Sequence, residues 1–221
     1  MDWSPLLITF KLALITTAAL FVVGVPLAYW LSHGKFKLKP AVEALVTMPL
    51  VLPPSVLGFY LLVAFGPKYF LGNFLSEHLN INLLFTFEGL IVASMIYSLP
   101  FMVQPIQSAF ESLPKSLNES ARLLGKSKIT TLIKVLLPNI KASVLTSLVL
   151  TFTHTIGEFG VVLMIGGSIP GETKLASIAI YEEVEAMNYS AAHTYSFILF
   201  AISFAILVLV YSMNKKAIKV I

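Results

Sequence analysis

A chain of 221 residues that is 57% hydrophobic and 12% charged, with a mean hydropathy of +0.87, is composed for lipid. Soluble domains carry about 25% charged residues. With no cysteine there is neither a disulfide framework nor a thiolate metal site. The formal charge of +4 is small, no nucleic-acid partner is expected, and the distribution of the charges says more than their sum.

A transmembrane helix needs about 20 mostly apolar residues, and five runs meet that need, at 6–31, 44–66, 87–110, 139–165 and 190–213. The expectation is an all-α integral membrane protein with one transmembrane domain over 1–221. The first run is too long, and followed by too many others, for a cleaved signal peptide. It contains Gly24 and Pro26, which predict a kink, and Lys11, whose amine can snorkel to the headgroups. A loop with Lys35, Lys37 and Lys39 follows.

The second run opens with Met48-Pro49-Leu50-Val51-Leu52-Pro53-Pro54-Ser55-Val56-Leu57-Gly58. Three prolines and a glycine break the hydrogen-bond ladder there. Broken backbone at membrane depth survives only under cover of protein or water. The stretch is either a kinked packing helix or part of a pathway or gate, with Pro53, Pro54 and Ser55 as candidates. Residues 67–86 read as a short surface helix and turn. Ser98, Pro100 and Pro105 predict a comparable break in the third run.

The segment 111–138 is polar and rich in cations. Pro114 can start a helix that Ser116 or Asn118 could cap. Glu119 would then lie in its first turn, where a negative charge suits the helix dipole. Gly125 would end it by adopting a left-handed conformation. Leu123 and Leu124 give it an apolar face, and the small Ala121 permits close approach. Gly125-Lys126-Ser127 resembles the end of a phosphate-binding loop, but that motif needs a glycine where Ser120 stands. No ATPase machinery is expected on this chain.

The fourth run carries a polar stripe, Ser143, Ser147, Thr151, His154, Thr155 and Glu158, at helical steps of three and four. A carboxylate within a span costs about 3 kcal/mol on insertion scales, so it usually faces a cavity or a partner. His154 and Glu158 could pair within the bundle, line a watered passage or, with further ligands, hold a metal; no metal site is nominated. The loop 166–188 turns amphipathic around Leu175, Ile178 and Ala179, which predicts a helix at the membrane surface.

Twelve of the fifteen basic residues fall on alternate sides of the runs, at Lys35 to Lys39, Lys115 to Lys141 and Lys215 to Lys219. Cytoplasmic loops gather Lys and Arg. The N-terminus is therefore expected outside, and the C-terminus and the segment 111–138 in the cytoplasm.

Glu119, Ala121, Gly125, Leu137 and Pro138 match, at their spacing, the EAA loop of ABC-transporter permeases: Glu-Ala-Ala, three residues, Gly, nine residues, then Ile-x-Leu-Pro. Ser120 stands for an alanine and Val135 for the isoleucine. The Leu52-Pro53-Pro54 stretch, and Gly157-Glu158-Phe159-Gly160 leading to Gly166-Gly167, resemble the molybdate-transport permeases over essentially the whole chain; sulfate permeases are close relatives. The resemblance implies a type I importer of molybdate or tungstate in the inner membrane: a second copy of this chain, two cytoplasmic ABC ATPase subunits and an extracytoplasmic oxyanion-binding protein. Glu119, Ser120, Ala121, Leu124, Gly125, Leu137 and Pro138 would couple to the ATPase, and ATP with its magnesium would bind there. No cofactor is expected on this chain. Thr151, His154, Thr155 and Glu158, with Pro53, Pro54 and Ser55, would border the passage. The rival readings are a sulfate-type permease and a gradient-driven transporter or channel using His154 and Glu158 as proton carriers. No Ser/His, paired-Asp or metal-ligand constellation supports an intramembrane enzyme.

Overall fold

The computed structural model describes residues 2–218, which form twelve α-helices, one π-helical turn and no strand. Helix α1 (Ser4–His33) precedes the short helices α2 (Lys39–Val51), α3 (Pro54–Phe65) and α4 (Phe70–Leu79). Then come α5 (Phe87–Ser112), α6 (Lys115–Leu123), α7 (Lys128–Thr131), the π turn Leu132–Leu136 and α8 (Leu137–Asn139). The chain closes with α9 (Lys141–Ile156), α10 (Gly160–Gly166), α11 (Ala176–Glu185) and α12 (Tyr189–Ile218).

Helices α1, α5 and the stretch Tyr189–Val210 of α12 are each long and apolar enough to cross a membrane alone. At about 1.5 Å per residue, the 30 residues of α1 reach about 45 Å. Proline is tolerated in the first turn of α1, where its missing N–H would have no partner anyway. Thr86 caps α5 by accepting the N–H of Gly89 at 3.2 Å. Pro100 and Pro105 lie inside α5, which runs unbroken through both, so the break expected in the third run is absent. Lys11 lies with its amine 4.5 Å from the centre of the Phe87 ring, held by a cation–π contact.

The second run is broken at its prolines, as expected, and sharply. Helices α2 and α3 meet at Leu52-Pro53 with a bend of 115° and are long and apolar enough to cross a membrane only when taken together. Two consecutive prolines remove two N–H donors, and each disfavours helix in the residue before it. The fourth run is interrupted too. Helix α9 stops at Gly157, and a separate short helix α10 begins at Gly160. The segment 128–139 meets α9 at 84°.

The core is the packing of α1 against α5 and α9. Leu20, Ala28 and Leu31 of α1 meet Met102, Val103, Ile106 and Phe110 of α5, with Leu136 and Ile140 closing the same cluster. Lipid tails are as apolar as leucine, so close van der Waals fit drives such packing, and small residues permit it. A Cβ on Gly24 would come within 2.8 Å of Met102. A second cluster joins α3 to α5 and α10 through Leu57, Ala93, Val161 and Ile165.

Polar contacts fasten both ends. At the α6 end, Asn118 and His33 bond at 2.8 Å, and Lys39 of α2 lies 3.4 Å from Glu111 of α5. At the other end Thr9 accepts the N–H of Ala176 at 2.9 Å, and Tyr195 donates to the carbonyl of Asp2 at 2.6 Å. There Lys174 and Ser168 both hold Glu182. Burial alone would raise the Glu182 carboxyl; these two bonds outweigh it and leave the group below the usual carboxylate range.

Candidate functional site

The segment expected to couple starts its helix at Pro114, as the sequence allows, but without the expected side-chain cap. Pro114 is the N-cap of α6, and neither Ser116 nor Asn118 caps it. Asn118 is spent on His33. Glu119 consequently sits beyond the first turn, which holds no acidic residue. The other end is as expected. Gly125 adopts φ +67°, the N–H of Gly125 bonds the Arg122 carbonyl at 2.9 Å, and the N–H of Lys126 bonds the Ala121 carbonyl at 3.0 Å. Those two bonds define a Schellman motif, which satisfies the last carbonyls of the helix and turns the chain sharply.

Ala121 is buried against the chain itself, so its small size serves the seating of α6 and not an approach from outside. Glu119, Ser120 and Gly125 are exposed, while Leu123 and Leu124 stand out at 89% and 74% exposure. Ile129 and Ile133 are exposed beside them on the following turns. Exposed apolar side chains gathered this closely at one end mark an interaction surface. Leu137 is half-buried on the core and Pro138 is exposed. The π turn lies just ahead of Pro138, where proline cannot supply the usual helical N–H.

Deeper in the bundle the two broken helices face each other. Pro54 and Ser55 at the start of α3 share a cavity of about 580 Å³ with Tyr97 of α5, with Thr153 and His154, and with the break at Gly157-Glu158. Pro53 is exposed at the rim of that turn. A Cβ on Gly160 would lie 3.0 Å from the Pro54 Cβ, so glycine there lets the two breaks touch.

Glu158 is 3% exposed and accepts the hydroxyl of Ser94 at 2.7 Å; its other carboxyl oxygen has no partner among the described residues. Unwinding at the break also frees the Glu158 carbonyl, which Ser177 of α11 satisfies at 2.6 Å. His154 and Glu158 do not bond each other, because the helix ends between them and the four-residue spacing no longer places them on one face. His154 instead bonds Ser98 at 3.0 Å and lies against the rings of Tyr97 and Phe101. Thr155 bonds Ser98 at 3.1 Å. Thr151 and Thr155 are fully buried between helices and do not line the cavity. Among the described residues no three His, Asp or Glu side chains gather as metal ligands.

Ser94, Tyr97 and Ser177 belong to this site and escape a reading of the sequence. A signal for Ser94 and Ser98 was present, in two small polar residues four apart on an apolar helix, the spacing that brings membrane helices together.

Comparison with known proteins places the architecture. Residues 8–218 match the family described as the inner membrane component of binding-protein-dependent transport systems. The molybdenum transport system permease protein ModB of Azotobacter vinelandii is 45% identical over 97% of this chain and 95% of its own length. The sulfate transport system permease protein CysT of Salmonella typhimurium is 32% identical over 87% of this chain and 68% of its own. Among solved structures, a bacterial ABC transporter that imports the acidic polysaccharide alginate aligns with a TM-score of 0.78 at 18% identity, over 96% of this chain and 78% of that one. The chain thus has the fold of an ABC importer permease and belongs to the family of binding-protein-dependent transport system inner membrane components.

Proposed function

We propose that this chain is the membrane-spanning subunit of an ATP-driven molybdate importer, acting as a homodimer on two separate ATPase subunits and fed by an extracytoplasmic oxyanion-binding protein. The observation that carries the reading is α6. It is a short helix seated on the bundle through Ala121 and ended by a left-handed Gly125, with Leu123 and Leu124 projecting unpartnered. An apolar pair on a helix ended by a Schellman motif suits a groove on a partner, and the match to the EAA pattern supports an ATPase subunit as that partner.

The N-terminus lies outside and α6 in the cytoplasm, as the alternation of Lys and Arg favours. Residues 1–221 act as one permease domain. Molybdate is preferred to sulfate because identity is 45% to the molybdenum permease and 32% to the sulfate permease. The apolar runs carry few basic residues that could hold an anion tightly, so selectivity falls to the binding protein and this subunit supplies a gated passage. The cavity between the two helix breaks, with Ser55, His154 and Glu158 on its wall, is where that passage begins to form against the second copy.

Co-expression with the candidate ATPase, purification, and measurement of the complex mass tests the assembly. Two copies of this chain with two of the ATPase are expected. A stable monomer that transports without any ATPase would overturn the reading.

A further inference from the structure

At the α6 end, a concavity of about 710 Å³ opens between the last turn of α1 and the segment running from α6 into α7. Tyr29, Trp30 and His33 form one wall, and Arg122, Lys126 and Lys128 the other. Among the described residues, the ion pairs are those of Lys39 with Glu43 and Glu111 and of Lys174 with Glu182. The three cations of the concavity are therefore uncompensated by any carboxylate within 4.0 Å. Like charges held around a hollow focus a positive potential into it. The carboxyl end of α1 opposes them with about half an elementary charge, far less than three full ones.

We propose that this concavity binds the phosphate of an anionic phospholipid headgroup. Its depth relative to the membrane selects a lipid over a protein acid. Helix α1 is a membrane-crossing helix, and the site lies at its final turn. Trp30 is 48% exposed and stacks on Phe36 at 4.5 Å, the kind of aromatic pair that sits at headgroup level. Basic pockets between helices on the cytoplasmic side suit such headgroups. Arg122 offers a planar fork for two phosphate oxygens, and Lys126 and Lys128 supply point charges. The apolar residues Leu123 and Leu124 lie outside the concavity, so lipid and ATPase would occupy different faces of the same segment. The site would make the seating of the coupling segment sensitive to membrane charge. It rests on the chain crossing a membrane with α6 on the cytoplasmic side, and stands whether or not the cargo is molybdate.

The test uses the purified complex in neutral detergent, read by native mass spectrometry and thermal midpoint. Phosphatidylglycerol, phosphatidylcholine and inorganic phosphate are added separately. Phosphatidylglycerol should be retained and should raise the midpoint, with phosphatidylcholine ineffective. At the strength of a surface cation near anionic lipid, R122Q/K126Q/K128Q should weaken retention about a hundredfold and Lys128→Gln alone about fivefold. Lys68→Gln, at an exposed site remote from the pocket, should change nothing. Equal retention in wild type and both pocket variants would overturn the proposal. So would a shift from inorganic phosphate with none from the lipid, which would assign the site to a free oxyanion. Loss of the ATPase from the triple variant with lipid retention intact would assign the cations to the protein interface instead.

Discussion

Single residues set the character of the two candidate regions. The Glu158 carboxyl, almost wholly enclosed, depends on one side-chain donor, Ser94. Ser94→Ala should lower stability by about 1 kcal/mol, a typical magnitude for an interhelical hydrogen bond in a membrane protein. Thermal denaturation in detergent reads this directly, and an unchanged midpoint would show that the bond contributes nothing. At Gly125 the demand is conformational and not steric, since a Cβ there would meet no atom within 4 Å. A left-handed residue with a side chain costs roughly 1–2 kcal/mol, and asparagine tolerates the conformation far better than a β-branched residue. Gly125→Asn should preserve the ratio of anion imported to ATP hydrolysed, and Gly125→Val should lower it. If both substitutions act alike, the left-handed turn is not what coupling needs.

At the scale of elements, the broken helices matter more than the long ones. Pro53 and Pro54 divide α2 from α3, Gly157 divides α9 from α10, and the two short halves α3 and α10 pack through Gly58, whose added Cβ would lie 3.1 Å from the sulfur of Met164. Hydrated backbone and polar side chains are tolerated at this depth only beside a cavity or under protein cover. The polar stripe of α9 consequently splits into two roles. Thr151 and Thr155 form a seam against neighbouring helices, and Thr153 and His154 border the cavity. Single cysteines introduced into this cysteine-free chain distinguish them. A water-soluble thiol reagent should label positions 153, 154 and 157 and spare 151 and 155. Labelling that peaks at 151 and 155 would place the passage along the buried threonines and not at this cavity.

For the molecule as a whole, what could be read from the sequence was what depends on near neighbours. The apolar runs of α1, α5 and α12 appear within a few residues of their expected limits because each is a continuous local pattern. The end of α6 at Gly125 was equally legible, being fixed by one residue's backbone freedom. Its cap was not, because Asn118 is recruited by His33, 85 positions away, and Pro114 takes that place. The pairing of Ser94 with Glu158 and the turning back of α3 depend on contacts between helices remote in sequence, which periodicity does not encode. The pairing that the spacing allowed between His154 and Glu158 does not form, because the break at Gly157 lies between them.

The function proposed for this chain is a passage for an oxyanion whose movement is driven by ATP hydrolysed on another subunit. Reconstitution with the candidate ATPase and binding protein, and measurement of ATP-dependent uptake of radiolabelled molybdate into proteoliposomes with excess sulfate as competitor, tests it most directly. Uptake should require all three components and ATP, persist in excess sulfate, and fall with Gly125→Val while the complex stays assembled. Uptake by this chain alone on an ion gradient, indifferent to ATP, would contradict it.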